Sequence, residues 1–180
     1  MELKKIKFFL GLSFLWLSLN INAQEVIYKN VKINFSEEWK TQENTQKQLI
    51  AFSPEKDTLI LSVVYPPTVN DGQRALIVAQ NSIDALENII PNVQVIEREK
   101  LVTSANGIPV QFTQYLYKVS EETRFLIGAT IATNAGIVLI TFEGKGDDKQ
   151  SVDEFNNIIN HIRISKPEAG LLFNQGDILQ

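Results

Sequence analysis

Residues 123–144 read TRFLIGATIATNAGIVLITFEG, and this stretch decides the fold. Arg124 to Thr133 and Ile137 to Glu143 are both almost continuously apolar, and Asn134-Ala135-Gly136 lies between them. Apolar runs of this length, rich in β-branched residues, indicate strands that are covered on both faces. A short connection that contains Asn and Gly is typical of a hairpin. The stretch therefore predicts two neighbouring antiparallel strands inside a sheet.

The chain before this hairpin continues the antiparallel pattern. Ile108 to Val119 alternates between apolar and polar residues, and Val93 to Val102 is a more polar alternating segment. Asn106-Gly107 separates the two segments, and both residues tolerate the positive φ that a tight hairpin turn requires. The four strands are predicted to form a meander, in which each strand pairs with the next.

Four further strands are predicted near the N-terminus. Their ranges are Val26 to Tyr28, Val31 to Phe35, Leu49 to Phe52 and Leu59 to Tyr65. The first two indicate a short hairpin about Lys29-Asn30, because Asn suits the positive-φ positions of such a turn.

Two amphipathic helices complete the predicted domain. Asn70 or Asp71 is the predicted N-terminal cap of the first helix, and Pro91 ends it. Apolar residues recur at spacings of three and four, which places them on one face of each helix. The two stripes are Leu76, Ala79, Ile83, Leu86 and Ile90, and Val152, Phe155, Ile158, Ile159 and Ile162. The predicted class is therefore α+β, an antiparallel sheet with a helix packed on each face, or α/β/α sandwich.

Residues 1–23 are predicted to be a secretory signal peptide. Three lysines lie among the first seven residues, Phe8 to Leu19 is apolar, and Ala23 is the small residue expected before a cut at Ala23-Gln24. About 12 apolar residues are fewer than the roughly 20 that span a bilayer, which disfavours a membrane anchor. They also lie all round a helix, which disfavours a core helix. We expect a periplasmic or secreted protein with no stable membrane insertion after cleavage.

The composition predicts one globular domain over residues 24–165, followed by a tail at 166–180. The 180 residues are 44% hydrophobic and 21% charged, which is ordinary for a domain. The sequence has no cysteine, which excludes disulfides, thiolate metal sites and a cysteine nucleophile. Cleavage after Ala23 would remove three lysines and one glutamate and change the formal net charge from −4 to −6. An acidic domain without a basic run is not expected to bind nucleic acid.

Residues suited to catalysis or metal binding occur without the partners that such chemistry needs. His161 is the only histidine, and helical spacing places it beside Asn157 and off the apolar stripe. Asp147-Asp148 lacks the spacing of a calcium loop, and Gly144-Lys145-Gly146 lacks the phosphate-loop pattern. We therefore expect no cofactor, no metal and no enzymatic activity. Paired acids such as Glu121-Glu122 could act as acid and base only if they met in a cleft.

One strand face holds a candidate binding surface. Gln111, Thr113, Tyr115 and Tyr117 share the polar face of the segment from Ile108 to Val119. An exposed strip of this kind could bind a ligand or a protein partner, because tyrosine offers contact area together with a hydroxyl group. The alternative is that a helix covers the strip.

The order of elements resembles that of the PsbP-like superfamily, whose bacterial branch includes DcrB-like exported proteins. The similar segments are VKINFSEEWK at 31–40, NGIPVQFTQYLY at 106–117, the stretch 123–144 and SVDEFNNIINHIRIS at 151–165. The chain departs from the family at 36–38, where Ser-Glu-Glu occupies a stretch that often holds a proline before the tryptophan. The resemblance covers about residues 26 to 165. It implies an α/β/α sandwich with an accessory or binding role and no shared catalytic residues.

These observations together predict an exported, non-catalytic binding or accessory domain with a protein or small-molecule partner. One alternative is a carboxylate-dependent hydrolase or lyase. Another is a subunit of a cell-envelope complex that docks through the apolar tail from Gly170 to Leu179.

Overall fold

The structure is a computed structural model that describes residues 24–35, 38–66, 69–133, 136–146 and 148–165. The predicted signal peptide with Ala23 and the predicted tail at 166–180 lie outside the described residues. In chain order the elements are β1 (Gln24–Tyr28), β2 (Val31–Phe35), β3 (Lys40–Glu43), β4 (Leu49–Phe52), β5 (Thr58–Val64), α1 (Val69–Asp84), α2 (Leu86–Ile89), β6 (Gln94–Thr103), β7 (Pro109–Val119), β8 (Glu122–Thr133), β9 (Gly136–Lys145), α3 (Asp148–His161) and β10 (Arg163–Ile164).

Seven antiparallel strands form the main sheet, in the order β3-β4-β5-β9-β8-β7-β6. The hairpin of β8 and β9 lies inside this sheet, with Ala129 opposite Ile140. Strand β7 pairs with the other edge of β8, so that Tyr115 lies opposite Leu126. The predicted meander and the predicted antiparallel α+β class are confirmed.

A second sheet makes the architecture different from the one predicted. Strands β1, β2 and β10 form a three-stranded sheet of their own. Arg163 and Ile164 pair with Lys32 and Val31, so the chain after α3 returns to the first hairpin. The prediction of one sheet with one helix on each face is therefore too simple, because this second sheet shares a hydrophobic core with α3.

The larger hydrophobic core joins the main sheet, α3 and the second sheet through aromatic rings. Phe155 of α3 lies 5.9 Å from Phe112 and 6.3 Å from Phe142, measured between ring centroids. Trp39 lies 6.4 Å from Phe142 and stacks on Phe35 of β2 at 5.0 Å. The apolar stripe of α3 is buried as predicted. Ring pairs at these separations stabilise the fold beyond the area that they bury. The aromatic contacts therefore connect α3 with both sheets.

Helix α1 packs over a smaller core formed by Ile83, Tyr115 and Leu126. Along β7 and β8, Tyr115 and Leu126 belong to this smaller core, whereas their neighbours Leu116, Phe125 and Ile127 belong to the larger one. Gly128 lies beneath the helix, where an added Cβ would be 2.7 Å from Cγ2 of Ile83. The glycine therefore sets how closely α1 approaches the sheet.

The first predicted helix differs from the observed one at its start and near its end. The helix begins at Val69, so Asn70 and Asp71 lie within its first turn and not at the N-cap position. It is interrupted at Ala85, after which α2 adds one short turn. Ile90 is extended, as is usual for a residue that precedes proline.

Candidate functional site

The predicted strip of polar side chains on β7 is largely covered by α1. Tyr115 is fully buried, and its hydroxyl donates a hydrogen bond to the carbonyl oxygen of Ile83 at 2.9 Å. Thr113 is also buried, and its hydroxyl accepts a hydrogen bond from the backbone amide of Glu99 at 3.2 Å. The hypothesis of an exposed tyrosine strip is therefore wrong for these two residues, because the helix covers them.

The other two residues of the strip are half-buried and engaged in hydrogen bonds. The Oε1 atom of Gln111 accepts a hydrogen bond from Nε2 of Gln80 in α1 at 2.6 Å. The Tyr117 hydroxyl donates to the carboxylate of Glu143, which also accepts from Nε of Arg124 at 3.1 Å. Burial, followed by the neighbouring carboxylate, raises the pKa of Tyr117 to about 12. The Tyr117 hydroxyl therefore keeps its proton at neutral pH and acts as a hydrogen-bond donor at the surface of the sheet.

An open cleft of about 410 Å³ lies at the other side of the main sheet, where β4, β5, β9 and the first turns of α3 meet. We call it the acidic cleft, because carboxylates are the commonest polar groups in its lining. Its lining residues are Glu38, Trp39, Ser53, Pro54, Glu55, Asp57, Phe125, Phe142, Lys145 and Glu154. The volume lies within the range of about 300–1,000 Å³ that is typical of ligand sites.

The turn between β4 and β5 places Asp57 in the cleft. The backbone amide of Asp57 donates to the Ser53 hydroxyl at 2.9 Å, and the Ser53 amide donates to the Asp57 carbonyl oxygen at 2.9 Å. The carboxyl group lies against Gly144, where an added Cβ would be 2.1 Å from Oδ1 of Asp57. The backbone amide of Lys145 donates a hydrogen bond to the same carboxyl group. Asp57 is therefore held from both strands that border the cleft.

Two carboxyl groups of the cleft have raised pKa values. Burial raises the pKa of Asp57, and hydrogen bonds from the Lys145 amide and the Ser53 side chain oppose the rise. Burial also raises the pKa of Glu154, and the nearby carboxylates of Asp57 and Glu55 raise it further. Two acids that share a partly desolvated site repel each other when both are ionised. The cleft therefore favours a proton or another cation between them.

The base of the cleft is aromatic and rigid. Trp39, Phe125 and Phe142 are almost fully buried. Phe125 and Phe142 lie 5.1 Å apart between ring centroids, within the core that holds Trp39. The exposed parts of Trp39 and Phe125 are small, so the base offers a limited apolar surface beside the carboxylates.

The amine of Lys145 does not neutralise the cleft. Its Nζ atom lies 2.8 Å from Oε2 of Glu122, in an ion pair outside the lining. Within the part of the chain that the structure describes, none of the four lining carboxylates forms a salt bridge. The described residues also contain no group of three or more His, Cys, Asp or Glu side chains placed to hold a metal ion. The exposed His161 has Nδ1 2.7 Å from the Asn157 carbonyl oxygen, as its spacing predicts.

Sequence analysis does not detect the acidic cleft, because its residues come from separate segments. The four carboxylates stand at positions 38, 55, 57 and 154, and no fixed spacing relates them. In the sequence, Ser53-Pro54 indicates only the end of a strand, and Gly144-Lys145-Gly146 indicates a connector. The glycine at 144 is the one local signal, since it permits an acidic side chain to lie against the strand.

The molecule is an antiparallel α+β domain with an open cleft at one end of its main sheet. The same fold occurs in three solved structures. One is a Bacteroides thetaiotaomicron protein, with a TM-score of 0.52, 10% identity and coverage of 80% of this chain, although the match spans only 49% of that chain. LpqN, involved in cell envelope biogenesis of Mycobacterium tuberculosis, has a TM-score of 0.50, 13% identity and coverage of 82% and 87% of the two chains. The Saccharomyces cerevisiae Ran-binding protein Mog1p has a TM-score of 0.50, 9% identity and coverage of 80% and 96%.

These likenesses support a Mog1/PsbP-like architecture at the level of the fold. No protein-family profile matches the sequence, and no curated protein matches it. The relation to DcrB-like exported proteins stays a prediction. In the described part of the chain, no helix combines the length and the hydropathy needed to cross a membrane.

Proposed function

We propose that the protein is an exported, non-catalytic binding or accessory domain that holds its ligand in the acidic cleft. The observation that carries the proposal is the cleft itself, a cavity of about 410 Å³ whose base is formed by buried rings. A cavity of that size on a rigid scaffold is the usual form of a binding site. The periplasmic or secreted location follows from the signal peptide predicted at 1–23.

The fold neighbours are compatible with this role. LpqN takes part in cell envelope biogenesis, and Mog1p binds the protein Ran. Because Mog1p binds a protein, the ligand that we propose for this domain is either a protein partner or a small molecule. A subunit of an envelope complex is the related alternative, with the apolar tail from Gly170 to Leu179 as its predicted docking segment.

The proposal is tested by capture with a cleft-filling variant of the full chain. Pro54→Trp places a large side chain at the exposed wall of the cleft without changing the charge. Pro109→Trp is the matched control, because Pro109 is also exposed but lies at the end of β7 far from the cleft. We expect small molecules or proteins from an envelope extract to co-purify with the wild type and the control, and to be missing from Pro54→Trp. Equal recovery with Pro54→Trp would contradict the proposal.

A carboxylate-dependent hydrolase or lyase is the second candidate function. It is favoured by one observation: Asp57 and Glu154 meet in the cleft, and both have raised pKa values. A carboxyl group with a raised pKa is suited to act as a general acid, with an ionised partner as the base. This candidate would be supported if molecules recovered with the protein differed in mass from the same molecules in the starting extract. Glu154→Gln should then abolish that difference.

A further inference from the structure

We propose that the ligand of the acidic cleft is an organic cation, an amine or guanidinium group on an apolar stem. The charged group would lie between Asp57 and Glu154, and the stem would lie over the aromatic base. This inference rests on the proposed binding function and adds the chemical class of the ligand. It covers a free small amine and a lysine or arginine side chain of a protein partner, which have the same chemistry.

The charge of the cleft selects a cation. Four carboxylates line it, and among the described residues none of them has a salt-bridge partner. The single lining amine, on Lys145, is already paired with Glu122 outside the cleft. An anionic ligand would meet four carboxylates, whereas a cation would relieve the repulsion that Asp57 exerts on Glu154.

The lining below the carboxylates selects an organic ligand. Trp39, Phe125 and Pro54 line the cleft together with the acids, so its walls combine apolar carbon with carboxylate oxygens. The apolar carbon of this lining favours a cation that also has a hydrocarbon part, since the CH₂ groups gain contact while the charge stays beside the carboxylates. A bare metal ion would use neither the rings nor most of the volume of about 410 Å³.

The geometry holds the recognition group in place before any ligand arrives. Asp57 is fixed by the Ser53 hydroxyl and by the Lys145 amide, and it lies against Gly144. Glu154 lies on the first turns of α3, whose neighbour Phe155 is anchored in the core. Because the Asp57 carboxylate is already positioned, binding need not order it, which favours affinity for a small charged group.

The test compares three probes with one stem: 4-phenylbutylamine, 4-phenylbutanol and 4-phenylbutanoate. Isothermal titration on the full chain should give the amine an affinity at least about tenfold above that of the alcohol, because a charge-assisted hydrogen bond is lost with the ammonium group. The carboxylate should not bind. Equal affinity for the amine and the alcohol, or tighter binding of the carboxylate, would overturn the inference. Calcium chloride that displaces the amine at equimolar concentration would overturn it as well.

Charge-removing variants locate the binding group. Glu154→Gln and Asp57→Asn should each weaken binding of the amine by about tenfold. Asp153→Asn is the matched control, because it removes the same charge one residue away on an exposed position of α3 that does not line the cleft. It should change the affinity by less than about twofold, since exposed charges are screened. An equal loss in all three variants would indicate a general charge effect and overturn the inference. Thermal melts verify that each variant is folded.

A second set of probes separates the two sources of the cation. A capped Gly-Lys-Gly peptide that binds more tightly than 4-phenylbutylamine, and more tightly than its norleucine analogue, indicates a protein partner. The reverse order indicates a small amine, and both orders support the cationic class. Failure of the inference differs from failure of the proposed function. If Pro54→Trp blocks capture from extract but no amine is preferred, the cleft binds another class of ligand.

Discussion

Gly144→Ala is the substitution that most directly tests how the cleft is built. The added Cβ would lie 2.1 Å from Oδ1 of Asp57 and 2.6 Å from Cζ of Phe125, both far below van der Waals contact. Gly144 does not have a positive φ, so the backbone itself tolerates alanine. The whole penalty therefore comes from the two side chains that must move.

The size of the penalty follows from what holds those side chains. Displacing Asp57 breaks its hydrogen bonds with the Lys145 amide and Ser53, at about 1–3 kcal/mol for a charged acceptor. Moving the buried Phe125 ring against Phe142 is an overpacking change of about 1–3 kcal/mol. We expect Gly144→Ala to lower the free energy of unfolding by about 2–6 kcal/mol.

The assay is urea unfolding followed by circular dichroism, with Gly72→Ala as the matched control. Gly72 lies in α1, where an added Cβ would be 3.7 Å from the Pro66 ring, an ordinary contact. Alanine is favoured over glycine inside a helix by about 1 kcal/mol, so the control should stabilise the protein. The two variants make the same chemical change with opposite expected signs. If Gly144→Ala were as stable as the wild type, or if Asp57→Ala failed to recover part of the loss in that background, the described packing of the carboxyl group would be wrong.

Three further predictions concern α1 and α3. Gly128→Ala should cost about 1–3 kcal/mol by overpacking against Ile83, and less than about 0.5 kcal/mol in an Ile83→Ala background; additive effects in urea unfolding would contradict this contact. Tyr115→Phe should lower stability by about 1 kcal/mol, since the buried hydroxyl donates to the Ile83 carbonyl oxygen, and an unchanged urea midpoint would contradict that bond. Burial and the carboxylates of Asp57 and Glu55 raise the pKa of Glu154 above its usual value of 4.5. The stability that the protonated form gives the folded state is therefore fully present below pH 4.5 and is lost as the pH rises through the raised pKa. Glu154→Gln should therefore melt above the wild type at pH 7, and the difference should close as pH falls toward 4.5; a constant difference would refute the shift.

The parts of the fold that could be predicted from sequence are those determined by local pattern. The two apolar runs on either side of Asn134-Ala135-Gly136 became β8 and β9, because residues covered on both faces leave a continuous apolar signal. The stripe of α3 was equally clear, since Phe155 and Ile158 are buried at helical spacing.

The parts that could not be predicted depend on pairing between distant segments. Strand β3, Lys40–Glu43, has no apolar alternation and exists because it pairs with β4 at the edge of the sheet. Strand β10 has two residues and is defined by its bonds to β2, more than a hundred positions earlier. The hairpin of β1 and β2 is local, but the third strand of the second sheet depends on a pairing that no short segment of the sequence contains.

The candidate site escaped prediction for a related reason. Tyr115 and Tyr117 follow a clear alternating pattern in the sequence. Whether such a strip is exposed depends on where a helix packs against the sheet, and α1 covers Tyr115. The acidic cleft, in contrast, leaves no local pattern in the sequence. Asp57 and Glu154 show nothing distinctive in their own segments and become a pair only when β5 and α3 meet.

The position of Trp39 gives the protein a built-in optical reporter. The sequence contains two tryptophans, at 16 and 39, and cleavage after Ala23 would leave Trp39 as the sole indole fluorophore. Its ring stacks on Phe35 of the second sheet, approaches Phe142 of the main sheet and lines the cleft. Its emission therefore senses both the joint between the two sheets and the occupancy of the cleft, so that folding and binding can be followed on the natural chain without a label.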